Sequence, residues 1–258
     1  MMWDMELALA KRCAINAGKL IMQVYQDSGA MVVEYKADQA PLTLADRLAN
    51  QEIVTALRRE FPHYAVLSEE EKDNRERLAN DYCFVVDPLD GTKEFIKRNG
   101  QFTVNIALSY CHRSVMGVIY VPVTRELYFA TAGQGAYYEQ GGKLQRIQVS
   151  DRISNLRCVM SSSHGCAEMD DLILRHGLKN FVKMGSSLKG CLIAKGDAEI
   201  YFRFNPTMEW DTAAMQCIVE EAGGVFRQMD DSEMIYNREN SRNEKGFYAI
   251  NCIGNRLR

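Results

Sequence analysis

The sequence predicts an α/β protein. Its first half is of α+β type, with two helices on a large, mostly antiparallel sheet, and its second half alternates strands and helices. Three observations carry this. Residues 64–150 hold a succession of apolar, β-branched runs with turn residues between them. Ahead of them, residues 4–26 repeat apolar side chains at helical spacing, and residues 43–61 open with a helix cap. After about residue 150 the rhythm becomes strand, helix, strand.

The elements follow in order. Leu9, Cys13, Ala17, Leu20, Ile21 and Val24 form one face of the first helix. MVVEYK at 31–36 reads as a strand. Thr43 is a good N-cap with Asp46 three residues on, and that helix should end near Phe61-Pro62. Strands are expected at 64–68, 82–87, 102–110 and 115–123. RELYFAT, GAYYEQGGKLQ and RIQVS continue as hairpins turning at Gly141-Gly142. In the second half, RCVMSSS, VKMG, AEIYFRF, VFRQ and FYAINC read as strands. EMDDLILRHG, SSLKGCLIAKGD and DTAAMQCIVEEAGG read as helices, the last closed by Gly223-Gly224. No repeat or flexible linker separates 1–150 from 151–258, so the halves are expected to share a broad interface as one compact unit.

Composition narrows the function classes. Of 258 residues, 47% are hydrophobic and 25% charged, as in a soluble globular chain. The net charge of −3 gives no basic surplus for a nucleic acid polymer, but a small anion remains open if a metal or local Lys/Arg supplies the field. Eight cysteines without a CxxC pair read as buried free thiols, which suits a reducing cytosol. The N-terminus lacks the pattern of a signal peptide, and no window approaches about 18 uninterrupted apolar residues. Peripheral contact with a membrane surface and the oligomeric state, monomer or homodimer, are left open.

The chemistry gathers around acids. VDPLDGTKEF at 86–95 delivers Asp87 at the end of an apolar strand. Pro88 should stop the ladder there, and Gly91 permits a close or left-handed backbone. The chain then turns around Leu89, so Asp87, Asp90 and the Leu89 carbonyl can face one point. An all-oxygen half-shell of this kind suits a hard cation such as Mg²⁺. Two more acids could complete it: Glu69 in LSEEE at a strand end, and Asp211 in EWDTAA at a helix start. Singly these read as ordinary residues, Glu69 a solvated loop acid, Asp211 an N-cap and Asp46 a capping-box acid. Lys93, Lys97 and Arg98 form a basic group beside the turn, either a solvated face or a field for anions. Ser161-Ser162-Ser163-His164 lacks the glycine frame of a nucleophile elbow.

VDPLDGTKEF with FTVNIAL, KADQAPLTLAD at 36–46, LSEE, and WDTAA running into EAGG resemble the motifs of the inositol monophosphatase superfamily, the lithium-sensitive, Mg²⁺-dependent phosphomonoesterases. The likeness spans nearly the whole chain, in order. Lys93-Glu94-Phe95-Ile96, SSSH, GSSLK and YFRF are similar to its CysQ-type 3′(2′),5′-bisphosphate nucleotidases. The resemblance implies a layered αβαβα sandwich as in the inositol monophosphatase/fructose bisphosphatase-like fold. It implies adenosine 3′,5′-bisphosphate as substrate, two or three Mg²⁺ ions, lithium inhibition and a link to sulfate assimilation. An inositol or sugar phosphatase with the same metal centre is the alternative.

By the same resemblance, Glu69, Asp87, Asp90, Asp211 and the Leu89 carbonyl would bind metal. Glu70 and Glu71 are alternatives to Glu69 in a run of three acids. Asp46 and Thr92 would hold and activate the attacking water, and the Gly91 and Thr92 amides would take the phosphate. Glu69, Leu89, Asp90 and Asp211 would also border the substrate. Ser186, Lys189, Arg203 and His164 would hold the nucleotide and its second phosphate. None of His63, His112, His164 and His176 is required by the chemistry.

Overall fold

The computed structural model describes residues 2–27, 33–35, 41–73, 75–162 and 166–257. The first half runs α1 (Asp4–Gln26), β1 (Val33–Tyr35), β2 (Pro41–Thr43), α2 (Leu44–Glu60), β3 (Ala65–Ser68), β4 (Tyr82–Asp90) and α3 (Thr92–Ile96). It continues with β5 (Thr103–Tyr110), β6 (Arg113–Val121), β7 (Glu126–Thr131), β8 (Gly135–Gln140) and β9 (Lys143–Ile147). The second half holds β10 (Arg157–Ser161), α4 (Ala167–His176), β11 (Asn180–Met184), α5 (Leu188–Ala194) and β12 (Ile200–Arg203). Then come β13 (Thr207–Met208), α6 (Glu209–Glu221), β14 (Val225–Gln228), β15 (Arg242–Asn243) and β16 (Phe247–Ile250).

Strands β3 to β9 form one sheet in sequence order, parallel only between β3 and β4. Side-chain alternation divides β4 between two cores. Phe84 and Val86 pack with Leu9, Cys13 and Ile21 of α1 and Ala49 and Ile53 of α2. Cys83 and Val85 face Ala214, Cys217 and Ile218 of α6. A strand covered on both faces must be apolar throughout, which explains the unbroken YCFVV run. The second sheet, ordered β11-β10-β12-β16-β14, is mixed. Its inner residues Val159, Tyr201 and Phe247 join the core of α5 and α6, while Cys158, Ile200 and Ile250 pack with Met169 and Leu172 of α4. The layers are therefore α1 and α2, the large sheet, α5 and α6, the small sheet, and α4: the αβαβα sandwich.

Local chemistry accounts for several boundaries. Asp46 Oδ2 accepts the Thr43 backbone N–H at 2.7 Å and completes the expected capping box. Gly223 (φ +90°) ends α6: its N–H reaches the Glu220 carbonyl and the Gly224 N–H reaches that of Val219. Gly141 and Gly142 both have positive φ and turn β8 into β9.

Some expectations need correction. Pro88 does not end β4. Asp87 pairs with Asn105 and Asp90 with Thr103, so Pro88 and Leu89 form a bulge and the ladder resumes beyond them. The helix expected at 186–197 is confined to Leu188–Ala194, because Gly185 to Ser187 are used as a loop. β9 ends at Ile147, short of residue 150. The paired strands β13 and β15 and the short β2 carried no sequence signal. Of the strand expected at 31–36, Val33–Tyr35 is present and the rest lies outside the described residues, as do Lys36 to Ala40. All eight cysteines are free; Cys13, Cys83, Cys158, Cys191 and Cys217 are buried, but Cys111 is exposed.

Candidate active site

The bulge in β4 makes the centre of the site. Once Pro88 and Leu89 step out of the ladder, the Leu89 N–H turns back to Asp87 Oδ1 at 3.1 Å. Gly91 follows with φ +95°, and a Cβ there would sit 3.1 Å from the Gln101 carbonyl oxygen. Only glycine suits that backbone without strain. Asp211 arrives from the opposite side, at the start of α6. A close approach sets that helix: a Cβ on Gly117 of β6 would lie 2.4 Å from the Ala214 carbonyl oxygen.

Asp87, Asp90 and Asp211 consequently offer carboxylate oxygens all within 4.8 Å of one another. Desolvation, then the charges of Glu69, Asp90 and Asp211, push the buried Asp87 carboxyl well above its usual range. Desolvation and Asp90 likewise raise Asp211 to about 8, against the opposing pull of the Met208 N–H and Arg203. Oxygen-only donors crowded until they retain protons fit a hard divalent cation, which would relieve both penalties.

Of the three neighbouring acids, Glu69 borders the cavity and acts on Asp87. Glu71 is turned to Arg58, at 2.6 Å. Glu70 is absent from the cavity wall. Asp46 stands behind the site: its Oδ1 accepts the Thr92 hydroxyl at 3.3 Å, while Oδ2 is taken by the Thr43 N–H and hydroxyl. The Thr92 oxygen is also 3.4 Å from the Leu89 carbonyl.

The cavity, about 230 Å³, is lined by Glu69, Asp90 and Asp211, by Gly91 and Thr92, and by Ser186, Lys189 and Arg203. Burial, before any neighbouring charge, lowers the Lys189 ammonium to about 8. Its Nζ donates to the Ser186 carbonyl at 2.6 Å. Arg203 Nε is buried without a hydrogen-bond partner among the described residues, an open donor beside the cavity. The basic group splits: Lys93 lines the cavity, whereas Arg98 lies over the Tyr25 ring and donates to the Tyr25 carbonyl. His164 lies outside the described residues.

Sequence reasoning missed Thr103, Asn105 and Ser187, which surround Asp90. It also missed Gln101, whose Oε1 accepts the Gly185 N–H at 2.8 Å and the Ser162 hydroxyl at 3.0 Å. A signal was present: in a strand buried on both faces, two polar residues at alternate positions, Thr103 and Asn105, need buried partners.

Residues 3–248 match the model of the Inositol monophosphatase family. The chain is 43% identical over 235 residues to the 3′(2′),5′-bisphosphate nucleotidase CysQ of Escherichia coli strain K12, covering 91% of this chain and 95% of that one. It resembles the crystal structure of CysQ from Bacteroides thetaiotaomicron at a TM-score of 0.85, with 41% identity over 97% of this chain and 98% of that one. An IMPase from Thermotoga maritima shares the fold at a TM-score of 0.78, with 25% identity over 95% of this chain and 92% of that one. With a family match over almost its full length and the αβαβα layers in place, the chain belongs to the inositol monophosphatase family.

Proposed function

We propose that this chain is a Mg²⁺-dependent phosphomonoesterase that releases the 3′-phosphate of adenosine 3′,5′-bisphosphate, giving AMP and phosphate, in a cytoplasmic role linked to sulfate assimilation. The observation that carries the reading is one cavity lined both by acids, Asp90, Asp211 and Glu69, and by cations, Lys189 and Arg203. A monophosphate needs only the acids and their metal; a second phosphate needs cations of its own. The name of the relative at 43% identity, a 3′(2′),5′-bisphosphate nucleotidase, favours a substrate of this class. In this reading residues 1–150 supply most metal carboxylates, residues 151–258 supply Asp211 and the nucleotide contacts, and the two work as one unit.

Glu69, Asp87, Asp90, Asp211 and the Leu89 carbonyl would hold Mg²⁺. When bound, Mg²⁺ would lower the pKa of a water and offset charge growing on the leaving ribose oxygen. Asp46 accepts the Thr92 hydroxyl proton, which frees the Thr92 oxygen to accept a hydrogen bond from the attacking water and orient it. The amides of Gly91 and Thr92 would bind the transferred phosphate. Lys189, Arg203 and Ser186 would hold the 5′-phosphate by charge-assisted bonds.

The reading is tested by phosphate release from adenosine 3′,5′-bisphosphate, inositol 1-phosphate and fructose 1,6-bisphosphate with Mg²⁺, with and without lithium. The expected result is a kcat/KM for the nucleotide at least about a hundredfold above either sugar ester, a difference of about 2.7 kcal/mol, and inhibition by lithium. A preference for a sugar ester would retain the metal centre and discard the nucleotide contacts.

A further inference from the structure

Asp90 is where the acidic cluster meets the loop between β11 and α5. Its Oδ2 accepts both the Ser187 backbone N–H and the Ser187 hydroxyl, each at 2.6 Å. The Asn105 amide adds a donor at 3.1 Å and gives its other hydrogen to Ser187 Oγ at 2.8 Å. Thr103 orients that amide, because its hydroxyl donates to Asn105 Oδ1 at 2.9 Å. Ser187, Asn105 and Thr103 are all buried. Ser187 Oγ also lies 3.2 Å from the Asp211 carbonyl. One oxygen of Asp90 is thus fixed by charge-assisted bonds, and Oδ1 accepts none of them.

The same loop holds the Lys189 ammonium. Gly185 is pinned through its N–H to Gln101, and Ser186 holds a left-handed backbone at φ +48°. The Ser186 carbonyl is the acceptor for Lys189 Nζ. The Lys189 ammonium has further N–H donors, so it can take an anion while keeping that bond, and the anion's hold is passed to the residue adjacent to Ser187.

We propose that Ser187 is a positioning residue that couples the cationic and acidic groups of the cavity. A nucleotide phosphate at Lys189 steadies the Ser187 donors on Asp90 and tightens divalent-cation binding at the acidic cluster. By reciprocity the cation tightens the nucleotide. This rests on the reading above that a second phosphate seats at Lys189.

The test is calorimetric titration of Mg²⁺ into the full chain with and without saturating AMP, which carries only the 5′-phosphate. Wild type is compared with Ser187→Ala, Asn105→Ala and Ser187→Thr, each first checked for folding by thermal melting. AMP should tighten Mg²⁺ about fivefold or more in wild type. The effect should fall below about twofold in Ser187→Ala and Asn105→Ala and return in Ser187→Thr, whose hydroxyl is retained. Should Ser187→Ala not fold, Asn105→Ala cuts the same relay from the strand side. Ser187→Ala that weakens Mg²⁺ equally with and without AMP marks a merely structural serine and overturns the proposal. So does wild type that binds AMP without any change in Mg²⁺ affinity; both leave the nucleotide reading standing. Wild type that does not bind AMP removes that reading, and the coupling with it.

Discussion

Residue roles separate by what each substitution leaves behind. Asp90→Asn keeps shape and hydrogen-bonding capacity but removes the charge that a cation needs. It should abolish phosphate release while far-UV circular dichroism stays unchanged; full activity in this variant would sink the metal-site assignment. Lys189→Ala and Arg203→Ala address the cations of the cavity. On the proposed reading each would remove a charged partner of the second phosphate, an interaction worth about 2 kcal/mol. KM for adenosine 3′,5′-bisphosphate should rise about thirtyfold, with little change for a monophosphorylated substrate. Equal losses on both substrates would take away the argument for a nucleotide.

At the scale of elements, the site depends on how closely α6 lies on the large sheet. Gly117 has no side chain where the Ala214 backbone passes, and the Ser114 hydroxyl donates to the neighbouring Ala213 carbonyl at 2.7 Å. Gly117→Ala would force α6 outward and carry Asp211 with it. Overpacking of this kind costs roughly 1–3 kcal/mol. The variant should melt lower, and its half-saturating Mg²⁺ concentration should rise as well; a lower melting point with unchanged Mg²⁺ dependence would separate the helix position from the site. The β4 bulge works at the same scale, because a regular ladder through Pro88 would turn Asp87 and Asp90 to opposite faces of the sheet.

In the whole molecule the acids sit between the two sheets, held by contacts across the halves. Buried Arg77 donates to Asn237 Oδ1 at 2.9 Å and to the Arg238 carbonyl at 2.9 Å, and Glu209 accepts the Asn237 N–H at 2.6 Å. This ties the segment after Glu69 to the start of α6. The cluster has a cost that depends on pH. Asp87 and Asp211 keep protons in the folded, metal-free chain after the unfolded chain has lost them. Stability from these groups is therefore full below the ordinary value of 3.8 and is lost as pH rises toward about 8. Melting in EDTA should fall over that interval, and the increment from Mg²⁺ should grow with pH because the cation replaces the protons. An increment equal at pH 5 and pH 8 would contradict the coupling of the acids.

Among the described residues no helix is long and apolar enough to cross a membrane, in line with the hydropathy of the chain. Helix α1, the Thr43–Asp46 cap, the hairpins and the turn at Gly91 were legible because each rests on local chemistry: a period, a cap, a positive φ. The four acids could be named singly by motif, but 142 residues separate Glu69 from Asp211, and no local rule sets their distance. That was decided by the β4 bulge, by Gly117 beneath α6, and by the two sheets closing on α5 and α6. Thr103 and Asn105 signalled a need for buried partners, but that they meet Asp90 was illegible for the same reason. Asn105 lies in β5 and Ser187 in the loop between β11 and α5, 82 residues apart, and a hydrogen bond between them exists only once tertiary packing buries both. Sequence determined which groups could do the chemistry; packing decided which oxygen of each was left to do it.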